Sequence, residues 1–238
     1  MKTPLHLVLG IAAAAWTISG CKPDAAQPDL RQAWSFESGA AGWTAGFSDY
    51  PEGEDSMYQL SAAVEPLPAE LDADSSGFRI TGSNHSDDLF MYLTRKVTGL
   101  EPRTRYSVVF RIRLASQYPR ESVGIGGSPG GSVFLKAGAV AVAPAPIPDP
   151  EVAGHLRMNL DKGNQGTDGA DMQLLGDIGT SGELSEWMLI RRDNAEEAFE
   201  AETDDSGSLW LIVGTDSGFE GLTTLYYDAI EVEFTARP

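Results

Sequence analysis

The sequence is poor in the residues that most active sites need. It holds 1 cysteine, 3 histidines and 17 lysines and arginines in 238 residues. A single cysteine excludes an internal disulfide, so stability must come from core packing or bound ions. Two histidines remain beyond residue 20, and no histidine-based or serine-based catalytic set stands out. Basic residues are outnumbered by 35 aspartates and glutamates, giving a net charge of −18. Such a surface repels nucleic acid and anionic headgroups, which excludes both as expected partners. Beyond the first twenty residues no apolar run approaches the length of a membrane span. Helical periodicity of useful length is missing too.

What is present begins with an address. Lys2 is a positive start, Leu5 to Trp16 is a short apolar run, and Ile18-Ser19-Gly20-Cys21 closes it. A core this short reads as a secretory signal rather than a span. The small pair Ser19-Gly20 before a cysteine resembles the bacterial lipobox. That resemblance implies cleavage before Cys21, acylation of its thiol, and attachment to a membrane through the N-terminal lipid. Lys22, not an aspartate, follows, which by resemblance to Gram-negative lipoprotein sorting implies the outer membrane. Residues 1–20 then form a signal peptide, 21–32 a polar tether with two prolines, and 33–238 one domain. Without Lys2 the chain keeps 16 basic against 35 acidic residues, a charge of −19.

The domain reads as all-β. Strand-like runs recur at 56–64, 77–81, 88–97, 105–114, 132–139, 155–160, 172–178, 187–191, 208–213 and 223–234, with glycine and proline breakers between most. The run 105–114 alternates cleanly, Tyr106, Val108, Phe110, Ile112 and Leu114 against a mostly polar face. Residues 193–202 fit either a helical turn or a further strand, and the proline-rich 141–150 reads as a long loop. Many short strands without helices mean a sandwich or barrel, and the length favours a two-sheet jelly roll.

The closing run, Leu222 to Phe234, carries one residue that breaks its pattern. Simple alternation puts Tyr226, Asp228, Ile230, Val232 and Phe234 on the core side. An inward carboxylate at Asp228 needs a cation or backbone N–H groups. Phe36-Glu37-Ser38-Gly39 with Gly42-Trp43, and Tyr226-Tyr227-Asp228-Ala229-Ile230, resemble the first and last strands of jelly-roll carbohydrate-binding modules. In such modules a structural calcium often sits where these strands meet, and here only Glu37 and Asp228 match it. The alternative for Asp228 is acceptance of hydrogen bonds from loop amides. Residues 42–51, 124–130 and 161–165 also resemble segments of uncharacterised bacterial lipoproteins, a resemblance that implies no activity.

Other motifs fail on their chemistry. Gly126-Gly-Ser128-Pro129-Gly130 has the spacing of a nucleophile elbow, but Pro129 lacks the N–H the oxyanion hole requires. It reads as a turn, and the same proline excludes a dinucleotide loop. Asn84-His85-Ser86-Asp87-Asp88 reads as a polar turn before a strand. The glycine-rich run Asp161 to Asp171 lacks the ligand order of an EF-hand and ranks behind Glu37 and Asp228 as a cation site. For sugar stacking the available aromatics are Trp43, Tyr50 and Tyr58, with Tyr118 and Trp187 beside them. The expectation is a lipid-anchored envelope module, non-enzymatic, with a glycan as the first ligand to test. A polysaccharide hydrolase and a protein-interaction subunit are the alternatives, and two facing carboxylates in a cleft would favour the first.

Overall fold

Two kinds of burial pattern run along the strands, and they separate the sheets. The computed structural model describes residues 30–72, 74–85 and 88–237. The segment expected to be a signal peptide, Cys21 and the expected tether as far as residue 29 lie outside the described residues, as do Ser86 and Asp87. Arg105–Ser116 (β7) and Leu222–Ala236 (β15) alternate between buried and half-exposed positions along much of their length. Val133–Val140 (β8) and Leu209–Ser217 (β14) are buried almost throughout. Alternation marks a sheet with one wet face; continuous burial marks a sheet covered on both.

The first sheet has the order β12-β7-β15-β5-β4, where β12 is Met188–Asp193, β5 is Ser76–Ser83 and β4 is Ser61–Pro66. Leu30–Ser35 (β1) continues the edge beyond β5 along β15, and Phe199–Glu202 (β13) does the same beyond β12 along β7. The second sheet runs β11-β8-β14-β6-β2, with β11 Gln173–Asp177, β6 Phe90–Val97 and β2 Thr44–Ser48. From β5 to β8 each strand crosses to the opposite sheet, and β12, β14 and β15 do so again. This is a jelly-roll sandwich. The main core fills it with Phe36, Trp43, Phe110, Leu135, Tyr227 and Phe234 among others.

A third, small sheet joins Tyr50–Pro51 (β3), His155–Met158 (β10) and Pro146–Pro148 (β9). The proline-rich loop therefore holds a strand, and residues 193–202 resolve in favour of a strand at their end. One helical turn, Ala69–Asp72 (α1), is the only α-helix among the described residues. The first strand takes in Leu30 to Gln32, which the sequence reading placed in the tether. The run expected at 56–64 forms turns as far as Gln59, with the Tyr58 N–H donating to the Glu54 carbonyl, before β4 starts at Ser61.

The small sheet and the loop after it lie over the outer face of the second sheet. Met158, Met172 and Leu160 pack there on Phe90, Tyr92 and Ile212, forming a second core. Glycine makes the close approach feasible: a Cβ at Gly138 would strike the carbonyl oxygen of Asp171, and one at Gly214 the ring of Phe90. The outer face of the first sheet is left open.

Candidate functional site

Two charged regions stand out, one beneath the cover and one on the open face. Under the cover, Lys136 rises from the middle of the apolar β8 and is fully buried. Its Nζ donates to the carbonyls of Lys162 at 2.6 Å and Thr167 at 2.8 Å, and lies 3.6 Å from Asp216 Oδ2. Lys162 descends from the loop to place its own Nζ 2.8 Å from the same carboxylate oxygen, which also accepts the Gln165 N–H at 2.9 Å. The glycine-rich loop thus closes round an ammonium of the protein itself. Its aspartates serve the backbone: Asp161 accepts from Gly163 and Ala170, Asp171 from Asp161, and Asp168 from Leu174. Burial drives the Lys136 pKa down against the pull of Asp216. For Lys162 burial acts the same way, but Asp216, Asp49 and Asp88 outweigh it and hold its pKa up.

A cleft of about 300 Å³ opens beside this cluster, lined by Asp49, Asp88, Arg157, Lys162 and Asn164 among others. Arg157 spans it, with Nε 2.6 Å from Asp149 and one terminal nitrogen 3.4 Å from Asp88 and 3.6 Å from Asp49. Burial pushes the Asp49 carboxyl up to about 6, against the opposing effect of Lys162. The Arg157 hydrogen bond, with the Glu151 and Val152 amides, holds Asp149 at about 2. Asp49 is fully buried and Asp88 is shared by two cations. Each carboxylate of the cleft is engaged within the protein.

The closing strand corrects the simple alternation. The β15 ladder with β7 shifts register between Tyr227 and Ala229. On its other edge β5 ends opposite Tyr227 and β1 ends opposite Ala229. Asp228 is therefore an extra residue, skipped by both neighbours, and the faces exchange there. Thr223, Leu225 and Tyr227 point inward before it and Ile230, Val232 and Phe234 after it, while Tyr226 turns outward. Asp228 is buried yet reaches the outer face, where its carboxylate accepts from Arg113 Nε. Glu37 is exposed and accepts the Ser76 N–H at 2.9 Å. The first and last strands do pair near these two residues, but each carboxylate has a protein partner. Among the described residues no group of three or more His, Cys, Asp or Glu is arranged to hold a metal ion.

The three aromatics expected to stack on sugar lie inside instead. Trp43 is 2% exposed, Tyr50 6% and Tyr58 3%, all in the main core. Tyr58 also meets the ring of His85 edge-on, which employs that histidine in packing. Ser128 behaves as a turn residue, its hydroxyl donating to the Arg120 carbonyl and accepting from Gly130 and Gly131.

The open face presents a different set. Trp187 and Tyr226 meet there edge-to-face, centroids 5.3 Å apart, and both are half-exposed. Tyr226 lies opposite Arg79 on β5 and Ala115 on β7. One step along the sheet, Arg113 lies opposite Arg191 of β12. A groove of about 340 Å³ continues across β15 and β7, with Arg31 and Arg111 on its walls. Glu231 pairs with both of these, and Glu233 with Arg111. Sequence reading marked Trp187 as an aromatic beside a loop. It missed Tyr226, because the bulge that exposes it leaves no mark in the pattern.

No protein-family model matches the chain, and no curated protein does. Solved structures show a distant likeness to it. A carbohydrate-binding module analysed for specific mannan recognition is 12% identical, with 89% of this chain and 99% of that chain covered and a TM-score of 0.39. A module solved in complex with β-1,4-galactotriose is 12% identical, covering 83% and 92%, at 0.38. A third, from work on the promiscuous specificity of β-sandwich carbohydrate-binding modules, is 14% identical at 0.37 over 80% of this chain. Of that third structure the chain spans 56%. Likeness at this level carries no argument about the ligand of this chain.

Proposed function

We propose that this protein is a glycan-binding module of the cell envelope, held by a lipid on Cys21 and acting without catalysis. The observation that carries the reading is the Trp187–Tyr226 pair at the uncovered outer face of the first sheet. Two half-exposed rings, Tyr226 on β15 and Trp187 just before β12, suit the stacking of sugar rings, and flanking guanidinium groups supply hydrogen-bond donors. The opposite face is sealed by its cover, so a ligand there would have to displace packed side chains.

The test is a glycan array probed with the full-length protein in detergent, alongside Trp187→Ala and Tyr226→Ala. Binding by the wild type that both variants lose, with unchanged melting, supports the reading. Binding indifferent to both variants removes this face from the argument. For the anchor, labelling with an alkyne fatty acid is expected in the wild type and absent in Cys21→Ala. The cleft with Asp49 and Asp88 does not favour a hydrolase, since Arg157 and Lys162 occupy the groups that would serve as acid and base.

A further inference from the structure

The distribution of positive charge is at odds with the composition. Of the chain's 17 lysines and arginines, Arg31, Arg111, Arg113, Arg120, Arg191 and Arg192 all lie along one band of the open face or its rim, in a chain of net charge −18. Structural pairing accounts for most of them. Arg120 and Arg192 bind Asp177, and Arg192 also donates to the Asp177 and Gly179 carbonyls, so this side chain is fixed as scaffold. Arg31 and Arg111 share Glu231. Two guanidinium groups are left facing outward with donors to spare.

Arg113 is held by one edge. Asp228 takes its Nε, and the side chain remains 41% exposed, so its terminal N–H groups point to solvent. Arg191 is exposed and has no carboxylate partner among the described residues. The two lie directly opposite each other on β7 and β12, which places their Cα atoms about 5 Å apart. The row next to them, about 7 Å along the strands, carries Tyr226 and its contact Trp187. A paired guanidinium site one sugar width from an aromatic platform is complementary to a ring that bears an oxyanion.

From this we infer that the ligand of the open face is an acidic glycan, its carboxylate or sulfate taken by Arg113 and Arg191 while an adjoining ring packs on Tyr226 and Trp187. The inference rests on the glycan-binding reading of the same face. Planar guanidinium groups bind such anions by paired hydrogen bonds, which a neutral sugar cannot answer. The acidic surroundings repel a long polyanion, so the ligand presents a short stretch of charge. Asp228 acts as a positioning residue for Arg113.

Four probes separate the outcomes: oligogalacturonate, a sulfated oligosaccharide, neutral galactose and mannose oligosaccharides, and polyglutamate. Binding is measured by calorimetry on the full-length protein in detergent at 50 and 300 mM salt. The expected result is binding of one or both acidic glycans, weakened at the higher salt and by about tenfold or more in Arg191→Ala. The two acidic arms tell carboxylate from sulfate. Arg191→Ala breaks no ion pair, so its fold is kept, and Arg113→Lys is the second variant. Neutral oligosaccharides binding as well as acidic ones, indifferent to Arg191, would overturn the inference and leave the glycan-binding reading standing. Polyglutamate binding equally well would overturn it as mere charge attraction. No binding by any sugar would remove both.

Discussion

Lys136 and Lys162 meet on a single oxygen of Asp216, one rising from the sheet and the other descending from the loop above it. Neither ammonium is spare. Lys136 satisfies two loop carbonyls, and Lys162 fixes the loop to the strand beneath it while standing 5.4 Å from the Phe90 ring centroid. Removing Lys136 leaves a buried carboxylate with one cation fewer and two carbonyls without their donor. Lys136→Met is expected to cost about 3 kcal/mol in denaturant unfolding, with the loss of amide protection concentrated in residues 160–172. A loss under about 1 kcal/mol would mean that water replaces the ammonium freely.

Asp49 gives stability a pH dependence of its own. Its carboxyl titrates at about 6 when folded, above the ordinary value of 3.8 it regains on unfolding. The folded state therefore binds the proton more tightly. The corresponding stability is fully present below about pH 4 and is lost as pH rises through about 6. Asp49→Asn removes this dependence. The variant should gain on the wild type between pH 4 and 7, by at most about 3 kcal/mol for a shift of two units. Parallel pH–stability curves for the two proteins would show that Asp49 titrates normally.

The calcium expected from the sequence is tested at Asp228. Its carboxylate is paired with Arg113, and that of Glu37 with the Ser76 amide. The melting temperature is therefore expected to be the same in chelator and in millimolar Ca²⁺. Asp228→Asn should cost about 1 kcal/mol under both conditions, the scale of a partly exposed ion pair. A drop on chelation that Ca²⁺ reverses would return the ion to these two residues.

Tyr227 hides a polar atom that nothing meets. The side chain is fully buried, and its hydroxyl has no hydrogen-bond partner among the described residues. Burial pushes its pKa well above the ordinary range. Tyr227→Phe is expected to be neutral or stabilising by up to about 1 kcal/mol, since it deletes an unmet donor and keeps the ring. Destabilisation of more than about 1 kcal/mol would reveal a water or partner at that oxygen.

The sheets were legible where one face is wet, because β7 writes its burial as alternation. The second sheet was legible as strands but not as a covered surface. Its charged residues were a signal that could have been used: Lys136 in Val-Phe-Leu-Lys-Ala-Gly-Ala-Val, and Asp216 at the end of an apolar β14. A charge inside a run buried on both faces must have partners brought from elsewhere. The bulge was not legible, since an inserted residue changes the faces without changing composition. That one residue moved Tyr226 from the expected core to the open face, and Tyr227 the other way. Trp43, Tyr50 and Tyr58 were visible as aromatics beside loops, but loops that fold back on a core bury their rings.

The position of β15 sets an order of events in folding. This 15-residue strand pairs with β7 along one edge and with β5 and β1 along the other. All three of its partners precede Gln117, and no other strand joins them within that sheet. Until Leu222–Ala236 is available, the first sheet exists only as separate fragments with exposed edges. Closure therefore waits on contacts more than a hundred residues apart for β7 and about two hundred for β1. A chain stopped before Leu222 should remain unfolded and protease-sensitive, and the complete chain should fold slowly, in a late cooperative step.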